Sequence, residues 1–366
     1  MFDASAGWEQ GLAVAQLLDR LPPGDYTQTL TAIDPGAARL LRGLNYPVHF
    51  IVRLAGLNAL AAPLLACFAR RQGIDLVHAW GPQAAAVAAA AGYPVVLELF
   101  DPLLATRHVK LVRTLIPSAA FAVVCSCEWV RRRLIEGGVS GDVCVVVRPG
   151  VDFAFINRTR CGPLREQLGA TADELLTIVS EPVTRRGGQS EAFWAATLLN
   201  HAGIRVRMIV PGRTPERDRI ARLAVATPPP RTLIDPGDHH PFEELVTVAD
   251  ALVIAAQGDV STTAVAWAMA AGAAVIGPAV PSLAELIGHK VNGLLYKSTP
   301  GRSRVMSIAR LLQDRSLQGM VREAARGQAY ELFSLQRFVE QHMRVYHNAL
   351  RGLNADDGIF RPAGAI

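Results

Sequence analysis

Short β-branched runs alternate with helix-length apolar periods along this chain, and they do so in two successive series. In the first half the runs are YTQTLTAI (26–33), VHFIV (48–52), DLVHAW (75–80), PVVLELF (94–100), FAVVCS (121–126) and VCVVVRPG (143–150). Helix-period stretches lie between them at 9–21, 55–71, 82–91 and 128–137. Strands read as continuous apolar runs when both sheet faces are covered, and parallel neighbours need a crossover that is usually a helix. The series therefore predicts a doubly wound parallel sheet. It then restarts with LLTIVS (175–180), RVRMIVP (205–211), RTLID (231–235), ALVIAA (251–256), AAVIGP (273–278) and GLLYK (293–297). Helices are predicted near 189–202, 215–226, 242–249 and 262–271.

Two series imply two Rossmann-like α/β domains, 1–155 and 171–333, facing a central cleft. The polar, Gly- and Pro-containing stretch 156–170 reads as the linker. After Lys297 the pattern is helical, with a crossover helix at 334–353 and a polar, flexible tail at 354–366. Ligands of such sheets sit outside the carboxyl ends of the strands. The start departs from the pattern. SAGWEQGLAVAQLLDRL reads as a turn and first helix with no strand before it, so the first strand of the N-terminal domain is missing. A central strand carries much buried area, and a start codon placed too late is the expected reason.

Composition narrows the function classes. Of the 366 residues 50% are hydrophobic and 19% charged, which is enough apolar content for two cores and argues against disorder. The net charge of +5 is scattered. Arg131, Arg132 and Arg133 read as a solvated helix face and not as a nucleic-acid stripe, though they allow peripheral contact with the inner face of an anionic membrane. The five cysteines form no CxxC pair, and their odd number argues against a disulfide framework. Buried, reduced thiols of a cytoplasmic protein are expected. No apolar run reaches membrane-spanning length, and MFDASAGWEQ lacks the basic start and apolar stretch of a signal peptide.

Several stretches carry a family resemblance. GWEQGLAVAQLLDRL (7–21), GIDLVHAWGPQAA, VCSCEWVRRRLIEGGVSGDVCVVVRPGVD, TRRGGQSEAFWAATLL and VADALVIAAQGDVSTTAVAWAMAAGAAVIGPAVPSLAELIGHKVNGLLY together resemble the group 1 (family four) glycosyltransferases. The resemblance covers nearly the whole chain and implies the GT-B fold. It also implies retaining, metal-independent sugar transfer from a nucleotide-diphosphate sugar to a glycan or lipid-linked acceptor. Gly7 falls in the family's Gly-rich acceptor loop.

Such a site needs cations and helix N-terminal amides around a diphosphate leaving group, plus polar groups that orient the sugar. Where the family holds the diphosphate with an Arg and a Lys, this chain has Glu181 and Arg186, with Arg185 as a substitute cation. The family's two glutamates fall on Asp259 and Trp267. Asp259 keeps a carboxylate that can orient a sugar. Trp267 cannot accept a hydrogen bond from a ribose hydroxyl. It either stacks on a ligand ring or fills the cleft, and filling is the favoured reading. Ser261, Thr262 and Thr263 place hydroxyls at a helix N-terminus, where an anion binds or where ordinary capping accounts for one of them. Phe100 stands where the family has a histidine, followed by Asp101, with His108 nearby. His78 reads as a satisfied strand-end histidine, and Glu285, Asn292 and Gly293 as helix and turn features.

Two functions follow from this pattern. One is an active transferase using Arg185, Arg186, Asp259, Ser261 and Asp101. The other is a catalytically impaired relative that serves as a binding or partner module, because Glu181, Trp267 and Phe100 each remove a polar function. A nucleotide sugar, an acceptor, or a protein partner if activity is lost, are the partners expected.

Overall fold

The computed structural model describes residues 1–366 except 3–6, 38–45, 52–57, 101, 117–120, 161, 181–184, 213, 229–231, 238–239, 298–300 and 352–366. It divides into two compact units. One comprises Met1–Gly150 with Leu335–Ile366, and the other comprises Val151–Ser334.

In the first unit the apolar runs become β1 (Leu30–Ala32), β2 (Val48–Phe50), β3 (Val77–Trp80), β4 (Val95–Leu99), β5 (Phe121–Cys125) and β6 (Cys144–Val146). β3 to β6 form a parallel sheet in sequence order, and β1 pairs in parallel with β2. Every residue of β4 and β5 is buried, as the continuous apolar runs require of strands covered on both faces. The helices Asn58–Gln72, Pro82–Ala90, Pro102–Leu115 and Glu128–Glu136 supply the crossovers.

Before the first helix, where the sequence pattern shows no strand, Phe2 occupies a strand position. Phe2 bridges Ala32 on one side and Trp80 on the other, both in parallel. Its N–H donates to Thr31 O at 2.9 Å, and Trp80 N–H donates to Met1 O at 2.8 Å. Met1 and Phe2 thus stand in the central lane of the sheet, between β1 and β3.

The terminal helix Leu335–Arg351 closes this unit, burying Phe338, Val345 and Tyr346 beside Val96 and Val124. It also brings His342 to a buried polar cluster. Glu98 Oε2 lies 3.2 Å from His78 Nε2 and 3.1 Å from His342 Nε2. His78 Nδ1 meets the Tyr346 hydroxyl at 2.8 Å, and His342 Nδ1 meets Phe338 O at 2.8 Å. His78 is therefore a strand-end histidine with both ring nitrogens engaged.

Burial pushes the His78 pKa down to about 4, outweighing the attraction of Glu98. Burial opposes the Glu98 charge, yet His342 and His78 prevail and hold its carboxyl below the ordinary range. Both shifts have the same consequence. Below its unfolded pKa near 6.5, His78 takes up a proton in the unfolded chain that the folded chain refuses until about pH 4. The depressed Glu98 adds stability that is lost at still lower pH, as its folded pKa is crossed. Unfolding free energy is expected to fall by about 2 kcal/mol between pH 7 and pH 5 through His78. Urea titrations across that range test this, with His78→Gln expected to flatten the slope.

The second unit holds β7 (Leu175–Val179), β8 (Val206–Ile209), β9 (Leu233–Ile234), β10 (Ala251–Val253), β11 (Ala274–Pro278) and β12 (Leu294–Tyr296). They form one six-stranded parallel sheet in the order β12-β11-β10-β7-β8-β9. This is the doubly wound order, with its topological switch point between β7 and β10.

The stretch expected as a linker is helical at Phe153–Arg160 and Leu164–Gln167 and lies in the second unit. Arg165 is the physical reason. Its guanidinium donates to Val248 O and Glu174 O and pairs with Asp250 at 3.1 Å, tying the segment to the sheet. The predicted helix at 242–249 is a short α-turn, Phe242–Leu245, followed by a 3-10 turn. Cys125, Cys127 and Cys144 are buried as expected, whereas Cys67 is exposed. The tail 354–366 lies outside the described residues. Among the described residues no helix is long and apolar enough to cross a membrane.

Candidate functional site

The two loops at the switch point of the second unit are held together by backbone contact. After β7 the chain makes a 3-10 turn, Arg185–Gly187, and enters the helix Gln189–His201 through Gly188. Gly188 has φ 70°, in the left-handed region. A Cβ there would overlap the Ala255 carbonyl oxygen at the exit of β10. Only glycine meets both demands. Arg304, itself buried, fixes the same junction from below, with Nη1 3.0 Å from Glu191 Oε1 and 3.3 Å from Ala255 O. The Tyr296 hydroxyl donates to Ile254 O at 2.9 Å.

The loop after β10 carries the remaining candidates. Asp259 Oδ1 accepts from Ser282 N–H at 3.1 Å, and Ser282 Oγ accepts from Val260 N–H at 3.0 Å. This reciprocal pair clamps the loop to the turn beyond β11. Ser261 Oγ accepts from Thr263 N–H at 3.3 Å, the one capping-type bond among the three hydroxyls. Thr262 is the N-cap of the helix Thr263–Ala271, but its side chain makes no capping bond. Thr262 Oγ1 and Thr263 Oγ1 are buried with no hydrogen-bond partner among the described residues.

Every residue of that helix is buried, and its small side chains let it sit close against neighbouring elements. Trp267 lies one turn beyond Thr263, at the i,i+4 position that shares its face. The indole is 2% exposed and packs edge-on against Phe155, with centroids 6.0 Å apart at 77°. Its Nε1 is also buried and has no partner among the described residues. The helix ends at Gly272, whose φ of 75° turns the chain into β11.

The predicted residues thus divide into groups. Arg185, Arg186, Asp259, Ser261, Thr262, Thr263 and Trp267 stand on the two switch-point loops or the helix that follows them. Arg186 is exposed. Gly7 stands in the first unit as the N-cap of the helix Trp8–Arg20, in extended conformation, its N–H 2.7 Å from Gln10 Oε1. A Cβ there would make an ordinary contact, so glycine is not demanded by space. Asp101 and Glu181 lie outside the described residues. Phe100 is buried and stacked on Trp80 at 6.0 Å and 10°. Asn292 is a turn residue, accepting from Gly288 N–H at 2.7 Å and donating to Leu286 O. Arg131 donates to Cys144 O, and Arg133 pairs with Glu136 at 2.8 Å, which leaves Arg132 as the exposed cation of that run.

Sequence reasoning missed Gly188, Ser282 and Arg304. The Gly-Gly pair in TRRGGQS was a visible signal for the first. Nothing local to Ser282 or Arg304 gave their partners away.

The family comparison turns on the two halves. Residues 16–155 match the model described as Glycosyltransferase Family 4, and residues 163–328 match Glycosyl transferases group 1. The chain belongs to the group 1 glycosyltransferases. Solved structures agree at the level of fold. Alr3699/HepE of Anabaena, in complex with UDP and glucose, superposes with a TM-score of 0.75 at 20% identity, covering 95% of this chain and 98% of that one. Sucrose-phosphate synthase of Thermosynechococcus elongatus gives 0.75 at 16% identity, with 95% of each chain covered. WaaG, a glycosyltransferase involved in lipopolysaccharide biosynthesis, gives 0.67 at 15%, covering 92% and 95%. No curated protein matches the chain in sequence. The glycosyltransferase has the GT-B architecture of two Rossmann-like domains that its sequence pattern predicts.

Proposed function

We propose that the chain is a retaining glycosyltransferase that moves a sugar from a nucleoside-diphosphate sugar to a glycan or lipid-linked acceptor. One observation carries this reading. Thr262 Oγ1, Thr263 Oγ1 and Trp267 Nε1 are buried and unpartnered within two turns at the start of one helix. Buried polar atoms are normally satisfied, so three of them at a switch point favour a polar ligand there. A helix N-terminus adds backbone N–H groups and positive dipole, which suit a phosphate. Family membership and the UDP complexes of the Anabaena protein support the nucleotide as that ligand.

In this reading Arg186, with Arg185, balances the diphosphate and Ser261 lies beside it. The resident chemistry is metal-independent, because the leaving group is neutralised by guanidinium and amide donors. Asp259 orients the sugar, its carboxylate held by Ser282 N–H. Retention requires the acceptor oxygen to bond on the face from which the diphosphate departs. The acceptor side is assigned to the first unit, with Gly7 and Asp101. The protein works in the cytoplasm, and Arg132 offers a cation to the inner membrane face.

The second reading, a catalytically impaired relative, draws on Trp267 packed against Phe155 and on the apolar Phe100. Calorimetric titration with UDP and GDP tests the proposal. One nucleotide is expected to bind, and Arg186→Ala is expected to weaken it about tenfold or more by removing a charge-assisted bond. No heat from either nucleotide at millimolar concentration would overturn the nucleotide site. Binding without consumption of any UDP- or GDP-sugar would favour the impaired relative.

A further inference from the structure

Among the described residues, His78, Glu98 and His342 are the one cluster in which three ligating side chains converge, with a donor atom of each within 4.8 Å of the others. All three belong to the first unit, and the sugar transfer proposed above uses none of them. The side chains of Glu98 and His342 are wholly buried, and that of His78 is 12% exposed.

Three elements bring them together. His78 stands on β3 and Glu98 on β4, where Glu98 pairs with Trp80. Strand residues two apart share a face, so His78 and Glu98 are diagonal neighbours on one side of the sheet. The terminal helix contributes Phe338, His342 and Tyr346, spaced four apart and therefore in one stripe. That stripe engages both imidazoles at Nδ1. Phe338 O lies 2.8 Å from His342 Nδ1, and the Tyr346 hydroxyl lies 2.8 Å from His78 Nδ1. Both Nε2 atoms are thereby aimed at one carboxylate oxygen, Glu98 Oε2, at 3.1 and 3.2 Å.

This arrangement asks for a cation. A carbonyl only accepts, so the proton of a neutral His342 sits on Nδ1 and Nε2 carries a lone pair. That lone pair faces a carboxylate oxygen at 3.1 Å. Two acceptors so close repel unless a proton or a metal ion lies between them. Glu98 Oε1 makes a separate demand. It is buried and has no hydrogen-bond partner among the described residues, and a buried acceptor left unsatisfied is costly. A proton on His342 answers the first demand alone, whereas a metal ion answers both. Imidazole ligands of zinc give their other ring N–H to a carbonyl or a similar group, the part that Phe338 O and the Tyr346 hydroxyl can play. Ligands of a tetrahedral zinc ion stand about 3.3 Å apart, close to the separations found here.

We propose that the first unit binds one zinc ion through His78 Nε2, His342 Nε2 and the two oxygens of Glu98. The ion is structural and ties the terminal helix to β3 and β4. On binding, the proton at His78 Nε2 passes to solvent, and Nδ1–H donates to the Tyr346 hydroxyl.

Zinc titration of the full chain, first stripped with chelator, tests this. One equivalent is expected to bind, and excess zinc is expected to raise the thermal midpoint by about 5 °C or more. His342→Gln is expected to lower the affinity by more than about a hundredfold, beyond the cost of losing a ligand's hydrogen-bond partner. His240→Ala removes a His–Glu pair elsewhere, with Glu244, and is expected to leave the affinity unchanged. Cobalt in the unmodified protein reads the donor set without any variant having to fold. It is expected to give the visible absorption of a site ligated by nitrogen and oxygen, with no sulfur charge-transfer band. The proposal is overturned if the unmodified protein binds no zinc, or if the affinity survives His342→Gln or is lost with His240→Ala. Thiolate ligation in the cobalt spectrum also overturns it. The pH dependence expected of His78 is read on the chelator-treated protein.

Discussion

Gly188→Ala is expected to destabilise the second unit by about 3–5 kcal/mol, near the upper end of single-residue effects. Two costs combine at this residue. An alanine in the left-handed region loses about 1 kcal/mol. Its Cβ would also overlap the Ala255 carbonyl oxygen, which is backbone and has no rotamer to yield. The junction can only open, separating the turn after β7 from the exit of β10 and pulling Arg304 away from Glu191 and the Ala255 carbonyl. Gly203→Ala is the matched control. Gly203 has φ 81° with nothing within 4 Å of the added carbon, so only the conformational cost applies. Urea unfolding followed by tryptophan fluorescence should separate the two variants by about 2–4 kcal/mol. Equal losses would mean that the contact with Ala255 contributes nothing.

Trp267→Ala is expected to cost about 3–5 kcal/mol, the range for emptying a buried aromatic site. The indole is among the largest fully buried side chains, and the surrounding alanines have no side-chain reach with which to refill the space. Trp267→Phe should behave differently. It leaves a smaller void and removes an N–H that has no partner among the described residues. An unsatisfied buried donor costs about 1–3 kcal/mol, so this variant is expected within about 1 kcal/mol of the wild type. A Phe variant as unstable as the Ala variant would show that the N–H is satisfied in the folded protein. Both can be read from the same urea titrations.

The strands were legible because burial on both faces leaves little besides β-branched and aliphatic residues. All twelve apolar runs became strands, each shorter than its run. The anchoring of the helix Leu164–Gln167 was not legible because Arg165 reaches 85 positions along the chain to Asp250, a partner no local pattern reveals. The same limit applies at the site. Register placed Asp259, the three hydroxyls and Trp267 on one loop and helix. That Asp259 would be occupied by Ser282, and that Gly188 would touch Ala255, depends on tertiary approach between loops remote in sequence. Phe2 bridges two strands, but a single bridging residue is too short a run to be seen as strand.

Hydrogen exchange with and without bound nucleoside diphosphate tests the central claim most directly, because it locates the ligand as well as detecting it. The account predicts slowed exchange at residues 187–189 and 262–264 of the second unit, on the two loops that meet at the switch point. Protection confined to other residues, with these two segments unchanged, would contradict it.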